Sequence, residues 1–352
     1  MLAGSETFVR NHALRDWQPV YLGATRVDSP LAAPSDVIAF PDTPAGRRAF
    51  LRLRLTGGSP RLRDLVARLR PQVVHAHFGG DGWLISGNVR VPLIVTLHGH
   101  DVTRQPSAPG LRGRRYRRNL RTVFDRASVL LAVSGPIRDQ AIRHGADPAK
   151  VRVHHTGIPI PAYAPAPEPV WDVIFVGRFV DKKGVDDLLA ALARLDRPRA
   201  LFIGAGPLHE PIRAYARSLR VDATFLGAQD PASVARHLST ARLLAAPSRT
   251  AADGDCEGLP TAILEAAARG VPAVATRHSG IPEAVLDGVT GLLGPERDPD
   301  TLALNIKRLL ADDTLRRRLG AAARAHTETH FNLSTQSTQL ENLYDTLAPS
   351  TR

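Results

Sequence analysis

The sequence predicts an α/β protein of two doubly wound domains, each with a parallel, Rossmann-like sheet, that face a common cleft. Three observations support this fold class. The 352 residues are enough for two hydrophobic cores of ordinary size. Short apolar runs alternate with helical segments in both halves of the chain, as in βαβ units. Between the halves, residues 159–169 contain five prolines, which is typical of a semi-rigid linker.

The first domain is predicted at residues 1–160. Its strands are expected at short apolar, β-branched runs, namely Val20–Leu22, Val37–Phe40, Val73–Ala76, Leu93–Leu97 and Val129–Val133. Helices are expected at Arg61–Leu69 and Arg117–Arg126. A domain of this class ordinarily opens with a strand, whereas Gly4–Val9 has the pattern of a loop and a helix start. We therefore expect the first strand to be missing, either because the start codon is assigned too far downstream or because the domain lost it, and we favour the first explanation.

The second domain is predicted at residues 170–328, after a linker at 161–169 and before a helical segment at 329–352. The alternation of strand and helix restarts there. Its strands are expected at Asp172–Val176, Ala200–Ile203, Ala223–Leu226, Ala241–Ala246 and Pro272–Ala275. In open parallel sheets, ligands bind outside the carboxyl ends of the strands, so the residues that follow these strands are the candidates for a site.

Composition and charge limit the class of protein. Hydrophobic residues make up 43% and charged residues 23%, the values of a soluble globular protein. No apolar run approaches the roughly 18 residues of a membrane span, and no signal peptide is recognisable. A single cysteine, Cys256, excludes an internal disulfide and fits a reducing cytoplasm.

Basic residues outnumber acidic ones by 46 to 34, which gives a net charge of +12. This excess favours anionic partners, although an arginine-rich composition from a GC-rich genome explains it equally well. Eight arginines and no lysine lie between Arg104 and Arg126. That segment suits an anionic lipid surface or a lipid diphosphate, or is simply a solvated helix face. No nucleic-acid binding is expected, because no recognised binding motif accompanies the arginines.

Two glutamates, Glu257 and Glu265, stand eight positions apart around an apolar, alanine-rich segment. Pro260 and Gly270 bracket that segment, which predicts a helix of about ten residues. Amide groups at the helix start would face the loop that holds Glu257 and form an anion site. A loop carboxylate, an anion site and a second buried carboxylate suit a ligand with both phosphate and hydroxyl groups.

Arg178 ends a buried strand, and Lys183 follows five residues later. Side chains placed in this way can converge on one diphosphate, the arginine through a forked contact and the lysine as a point charge. Two solvated cations in a loop would give the same pattern.

Gly204 and Gly206 follow the next strand, where glycine allows a ligand to approach the backbone closely. The dinucleotide fingerprint is not met, because residue 209 is histidine.

A strand of the first domain ends in His98-Gly99-His100-Asp101, at the edge where the cleft is expected. Position alone leaves open whether His98 and Asp101 bind a ligand or serve the structure. His75 and His77 also end a strand and would point the same way. No third ligand accompanies these two at a recognisable spacing, so no metal site is predicted.

Taken in order, these motifs resemble the retaining GT-B glycosyltransferases of family four, in particular their exopolysaccharide and colanic-acid subgroup. The resemblance rests on Ser-Glu-Thr-Phe at 5–8, Thr-x-His-Gly-x-Asp at 96–101, Gly-Arg at 177–178 with Lys-Gly at 183–184, and Glu-x7-Glu at 257–265. It extends to Tyr344, whose helix is expected to cross back to the first domain, as in the family.

The resemblance implies a metal-independent, retaining hexosyltransferase that uses a nucleotide-diphosphate-sugar donor and no cofactor. Arg178 and Lys183 would neutralise the diphosphate. Glu257 would bind hydroxyls of the transferred sugar, and His98 would contact that sugar from the acceptor domain. Further substrate contacts are implied at Gly4, Ser5, Asp101, Gly177, Gly204, Gly206, Leu226, Gly258, Leu259, Pro260, Thr261 and Glu265. Among these, Glu265 would accept hydrogen bonds from the ribose.

The acceptor is expected to be a glycan, a lipid-linked precursor or a small molecule. We expect the protein in the cytoplasm, in peripheral contact with the anionic inner face of the membrane. Two alternatives on the same fold stay open: a non-catalytic nucleotide-sugar-binding module, and a sugar phosphorylase or nucleotide-sugar hydrolase, which would use phosphate or water in place of an acceptor. A nucleic-acid-binding protein is a third, and it would bind duplex DNA with strong salt dependence.

Overall fold

The computed structural model describes residues 9–10, 14–26, 32–162 and 168–348. The chain divides into two compact units. Unit 1 comprises Met1–Gly157 and Leu333–Arg352, and unit 2 comprises Ile158–Asn332. The expectation of a missing first strand concerns residues 1–8, which lie outside the described ranges, as do residues 163–167 of the proline-rich linker.

Unit 1 contains two parallel sheets in its described part. β1 (Leu22–Gly23) pairs with β2 (Val37–Ile38), apart from the larger sheet. The larger sheet has the order β3-β4-β5-β6, formed by Val74–His77, Leu93–Leu97, Val129–Ala132 and Val151–Val153. The expected strand runs are found in these sheets with shifts of one or two residues, whereas β6 was not predicted. It is a three-residue edge strand with only two apolar residues, too short to stand out in the sequence.

Two helices of unit 1 begin at a side-chain cap and a proline. α1 (Pro44–Thr56) and α2 (Pro60–Leu69) each have proline in the first turn, after Thr43 and Ser59, whose side chains accept a backbone N–H. The others are α3 (Gly79–Ser86), α4 (Arg104–Ser107), α5 (Gly110–Arg126) and α6 (Gly135–Arg143). α5 is seven residues longer at its start than predicted.

Unit 2 is built on one parallel sheet with the strand order β12-β11-β10-β7-β8-β9. The strands are β7 (Trp171–Val176), β8 (Ala200–Ile203), β9 (Ala223–Gly227), β10 (Ala241–Ala246), β11 (Ala273–Thr276) and β12 (Gly291–Gly294). β12 was not predicted, because glycine stands at both of its ends and it has no β-branched residue. Gly291 is required there, since a Cβ at this position would lie 2.4 Å from the carbonyl oxygen of Ala273 in β11.

The helices of unit 2 are α7 (Val185–Leu192), α8 (His209–Ser218), α9 (Pro231–Ser239), α10 (Thr261–Ala267), α11 (Ile281–Ala284), α12 (Pro299–Ala311) and α13 (Asp313–His330). The core of this unit joins strands β7 and β8 to α7 and α12, with Phe175, Phe179 and Phe202 among its fully covered side chains. Phe175 contacts both other rings, so Phe179, in the loop that follows β7, is anchored in this core.

The last helix, α14 (Leu333–Leu347), belongs to unit 1. Leu340, Leu343 and Tyr344 pack with Ile94 and Leu131 of the four-stranded sheet. The hydroxyl group of Tyr344 lies 2.7 Å from Nδ1 of His75. Among the described residues, every helix is too short or too polar to cross a bilayer.

Candidate active site

A buried lysine anchors the loop between β10 and α10. Lys182, in the short 3₁₀ helix Asp181–Lys183, donates from Nζ to Oδ1 of Asp255 and to the carbonyl oxygen of Cys256, both at 3.1 Å. Lys182 and Asp255 are each 8% exposed. No role for Lys182 is predicted from the sequence. Its neighbour Lys183 matched the family motif, and nothing in the spacing shows that the first lysine of the pair holds the Glu257 loop.

Lys183 pairs with Glu257. Its Nζ lies 2.9 Å from Oε1 of Glu257, whose side chain is 8% exposed. Burial alone would raise the pKa of Glu257, but the charges of Lys183 and Lys182 hold this pKa below its usual value. The same Oε1 is buried without a well-aligned hydrogen bond from any described residue. The carboxylate is therefore ionised and retains capacity to accept a hydrogen bond.

Gly177 and Arg178 follow β7 next to Lys183. A Cβ on Gly177 would lie 3.4 Å from Cε of Lys183, so the glycine faces the lysine side chain. Arg178 is exposed, and within the described ranges its guanidinium has neither a hydrogen-bond nor an ion-pair partner. The structure thus brings together Gly177, Lys183 and Glu257, with an exposed arginine at the edge of the group.

α10 is shorter than the ten residues predicted, because it begins at Thr261 and ends at Ala267, with a turn that reaches Gly270 in the left-handed region. A helix of seven residues gives little support to the predicted dipole at its start. Before it, Gly258, Leu259 and Pro260 are buried.

Burial raises the pKa of Glu265 on α10, and the charge of Arg269 opposes that effect only in part. Hydrogen-bond donors on a ligand would therefore stabilise the ionised form of Glu265.

Gly204 and Gly206 are explained by packing of the protein against itself. Gly204 has φ of +143°, and a Cβ there would lie 1.8 Å from the carbonyl oxygen of Gly177. At Gly206 a Cβ would lie 2.5 Å from the carbonyl oxygen of Phe179. Both glycines thus let the loop after β7 lie close to the loop after β8. Ligand contacts at these glycines, and at half-buried Leu226 in β9, stay predictions.

An arginine that the sequence analysis missed also fixes this region. Arg249 is 7% exposed and lies among three aspartates. Its guanidinium donates to Asp181 at 2.6 Å, to Asp187 at 2.7 Å and to Asp186 at 3.0 Å. Asp181 also accepts the backbone N–H of Ala252 at 3.0 Å. The four charged residues tie the start of the Glu257 loop to the segment that carries the two lysines. The one signal in the sequence is the excess of aspartate around Lys182 and Lys183.

In unit 1, His98 follows β4 and lies at the end of a row of imidazoles. Nε2 of His98 lies 3.0 Å from Nδ1 of His77, and the His77 ring stacks on that of His75 with centroids 4.6 Å apart. His75 in turn contacts Thr96 and Tyr344 through its two ring nitrogens. These histidines hold one another through hydrogen bonds and stacking.

Asp101 shapes the backbone around His98. It is 1% exposed, and its Oδ1 accepts the N–H groups of His98 at 3.1 Å and Gly99 at 2.9 Å. Its Oδ2 accepts the N–H of Gly79 at 3.0 Å. The structure therefore gives Asp101 a positioning contact, and a direct substrate contact for it stays a prediction. Two further predicted contacts, Gly4 and Ser5, lie outside the described residues.

Comparison with known proteins identifies both halves of the chain. Residues 6–160 match the family model described as Glycosyltransferase Family 4. Residues 161–326 match the model described as Glycosyl transferases group 1. The D-inositol 3-phosphate glycosyltransferase of Corynebacterium efficiens is 30% identical over 307 residues, which cover 77% of this chain and 70% of that protein.

A second relative is the amylovoran biosynthesis glycosyltransferase AmsK of Erwinia amylovora. It is 29% identical over 265 residues, which cover 72% of this chain but only 64% of AmsK. The chain thus matches less than two thirds of the length of this relative.

Among solved structures, HepE from Anabaena in complex with UDP-glucose superposes with a TM-score of 0.73 at 21% identity, over 89% of this chain and 86% of HepE. This likeness shows the GT-B fold that the sequence predicts. The two family matches in their order along the chain, together with the 30% identity to the Corynebacterium protein, establish that the chain belongs to the GT-B glycosyltransferases with a family 4 N-terminal part and a group 1 C-terminal part.

Proposed function

We propose that the protein is a retaining glycosyltransferase that moves a hexose-type sugar from a nucleotide-diphosphate-sugar to a hydroxyl acceptor. The observation that carries this proposal is the Lys183–Glu257 pair. A buried, ionised carboxylate lies 2.9 Å from Lys183, and an exposed arginine, Arg178, follows the glycine that faces this lysine. The cations of such a group can bind a diphosphate, and its carboxylate can accept hydrogen bonds from sugar hydroxyls.

The donor is held through three kinds of contact. Arg178 and Lys183 neutralise the diphosphate, and Gly177 leaves room beside Lys183 for phosphate oxygens. Glu257 accepts hydrogen bonds from hydroxyls of the transferred sugar, and Glu265 accepts them from the ribose. The segment Gly258–Thr261 lies against the phosphates, and His98 contacts the sugar.

The chemistry needs charge stabilisation above all. As the glycosidic C–O bond breaks, negative charge grows on the leaving diphosphate and positive charge on the sugar ring. Cations fixed beside the first charge lower the barrier, because they need no reorganisation during the reaction. Arg178 and Lys183 perform this task with no metal ion and no cofactor. The configuration at the anomeric carbon is retained if the acceptor hydroxyl attacks that carbon from the face from which the diphosphate leaves. An oxygen of the leaving phosphate then acts as the base that takes the hydroxyl proton.

The names of the relatives support a nucleotide-sugar donor and a broad range of acceptors. HepE was solved with UDP-glucose, and a Corynebacterium glutamicum relative that matches 47% of this chain at 35% identity is a GDP-mannose-dependent mannosyltransferase. Other relatives take part in amylovoran biosynthesis or act on inositol 3-phosphate. We accordingly propose a glycan, a lipid-linked precursor or a small polyol as the acceptor.

We also propose that the protein acts in the cytoplasm, in peripheral contact with an anionic membrane. The supporting observation is a groove on α5 lined by four arginines, Arg114, Arg117, Arg118 and Arg121, together with Thr122 and a single acidic residue, Asp125. Three of these arginines are exposed, while Arg117 is half-buried and donates to the carbonyl oxygen of Pro106. Clustered arginines on one helix attract anionic headgroups at about 1 kcal/mol each.

Vesicle co-sedimentation tests the membrane contact. The variant R114Q/R118Q/R121Q should lose binding to phosphatidylglycerol vesicles, and neither it nor the wild type should bind phosphatidylcholine vesicles. The variant R308Q/R317Q/R318Q removes the same charge from exposed positions of unit 2 and should bind as the wild type does. Equal loss in both variants would show that net charge alone is responsible.

The proposed reaction is tested with a panel of UDP-, GDP- and ADP-sugars. We expect one nucleotide series to raise the melting temperature and the matching sugar donor to release its nucleoside diphosphate only when an acceptor is present. Release that depends on phosphate, or that proceeds at full rate in buffer alone, would instead identify a phosphorylase or a hydrolase. Binding without any release would identify a non-catalytic module.

A further inference from the structure

Two consecutive residues after β11 hold the backbone of Glu257 from both sides. Nε2 of His278 accepts the N–H of Glu257 at 3.0 Å. The hydroxyl group of Ser279 donates to the carbonyl oxygen of Glu257 at 2.6 Å. His278 is 1% exposed, so the first bond is shielded from water. The two polar groups that flank the Cα of Glu257 are therefore both fixed by side chains.

Glu296 sets the tautomer of His278. Nδ1 of His278 lies 2.6 Å from Oε1 of Glu296. Because Nε2 must accept the backbone N–H of Glu257, the proton of the neutral ring resides on Nδ1 and is donated to Glu296. The other oxygen of Glu296 accepts the N–H of Thr250 at 2.8 Å. Glu296 and His278 thus connect the two ends of the segment from Thr250 to Glu257.

Ser279 stands at a position where a residue without a Cβ would be less strained. Ser279 has φ of +45°, a left-handed conformation that glycine adopts more readily than any residue with a Cβ. A serine at such a position is strained, and its compensation here is the bond to the carbonyl oxygen of Glu257. If this position required only close packing, glycine would fit it as well as serine.

We propose that His278, Ser279 and Glu296 are positioning residues that aim the Glu257 carboxylate at the transferred sugar. This inference rests on the proposed function. None of the three needs to touch the donor. A change in the backbone angles at Glu257 would swing its carboxylate away from the sugar hydroxyls, and a displacement of about 1 Å at a reacting centre can lower turnover on the order of 100-fold. The contact of the diphosphate with Arg178 does not depend on this arrangement, because the Arg178 guanidinium is exposed and does not contact Glu257 in the part of the chain that the structure describes.

The sharpest test is S279G, in which stability and activity should move in opposite directions. Glycine relieves the left-handed strain, so the variant should melt at or above the wild-type temperature. Loss of the hydroxyl group should lower kcat at least tenfold and leave the affinity for free UDP or GDP, whichever the protein binds, within twofold. The control is R197G, which relieves a similar φ of +44° at an exposed position in the same unit and should leave kcat unchanged.

His278 is tested by comparing two substitutions. In H278Q, the amide can still accept from the N–H of Glu257 and donate to Glu296, so kcat should stay within about tenfold of wild type. In H278F both bonds are lost, and kcat should fall on the order of 100-fold while nucleoside diphosphate binding persists. Wild-type turnover in both S279G and H278F would overturn the positioning role. Failure of the wild type to bind any nucleoside diphosphate would instead contradict the proposed function itself.

Discussion

The backbone N–H of Arg249 donates to the carbonyl oxygen of Lys182 at 2.8 Å. This bond joins the loop after β10 directly to the 3₁₀ helix after β7, next to the residue that pairs with Glu257. The side chain of Arg249 then spreads over the aspartates of the same region. The cation and the carboxylate of the candidate site are thus held by one continuous set of polar contacts.

Replacing Arg249 by methionine should destabilise unit 2. The three aspartates would lose their common cation, and because they are partly exposed we expect a loss of about 2 kcal/mol in the free energy of unfolding. Urea denaturation of wild type and R249M measures it. The control is R194M, which breaks the exposed Arg194–Asp300 pair and should cost less than about 1 kcal/mol. Equal losses in both variants would show that the aspartate cluster is not structural.

Replacing Arg178 by alanine should remove activity and keep the fold. Arg178 is exposed and its guanidinium makes no polar contact among the described residues, so the melting temperature should not change. The affinity for a nucleoside diphosphate and the turnover should both fall by roughly 100-fold, in line with loss of a charge-assisted, forked contact. R217A, an exposed arginine on α8, serves as the control for net charge. Near-normal turnover in R178A would refute the diphosphate contact.

Removing Lys183 should affect both activity and stability, unlike removing Arg178. In K183M the carboxylate of Glu257 stays buried without its nearest cation, which typically costs about 3–5 kcal/mol. The double variant K183M/E257Q should recover a large part of that loss, because no charge is then left buried. Urea unfolding at neutral pH distinguishes the two. A double variant as unstable as K183M would show that the lysine acts through packing.

The same pair predicts a pH dependence of stability. The pKa of Glu257 is lowered in the folded protein, so the pair contributes fully above the ordinary glutamate pKa of about 4.3. The contribution is lost as the pH falls below that value, through the folded-state pKa. Wild type should therefore lose stability more steeply below about pH 4.3 than E257Q does. Parallel curves for the two proteins would contradict this assignment.

Glu265 should give the protein a measurable preference for nucleotides that carry ribose hydroxyls. Wild type should bind UDP or GDP more tightly than the 2′,3′-dideoxy analogue, and E265Q should lose that preference. Burial raises the pKa of Glu265, so its ionised form is depleted at pH values above the usual glutamate range. As the pH falls, the preference for the ribonucleotide should accordingly weaken at a higher pH than that at which an exposed glutamate titrates. Isothermal titration calorimetry with both nucleotides measures these changes, and an unchanged preference in E265Q would place the ribose elsewhere.

The parts of this fold that the sequence predicts are those decided by local composition. Runs such as Leu93–Leu97 have a strand pattern because they are apolar, β-branched and completely buried. β6 and β12 escaped prediction because an edge strand of three residues and a strand bounded by glycines have no such pattern. The predicted length of α10 was wrong because Gly270 ends a turn after the helix, and proline stands before its first residue.

For the site, sequence motifs identified residues that carry charge but not those that place them. Lys183 and Glu257 were singled out together, and the structure brings them into contact. Lys182 and Arg249 were not, since their roles depend on contacts between segments far apart in the chain. Asp101 was singled out by its motif, which did not indicate that its carboxylate accepts three backbone N–H groups.

The location of α14 has a consequence for the order in which the protein folds on the ribosome. All strands of unit 2 lie within residues 158–332, so this unit can complete its core as soon as that segment has emerged. Residues 1–157 of unit 1 emerge before unit 2, yet they lack Leu340, Leu343 and Tyr344 until the segment that follows unit 2 has been synthesised. The unit translated first is therefore expected to finish last, and its sheet stays partly uncovered while the rest of the chain is made.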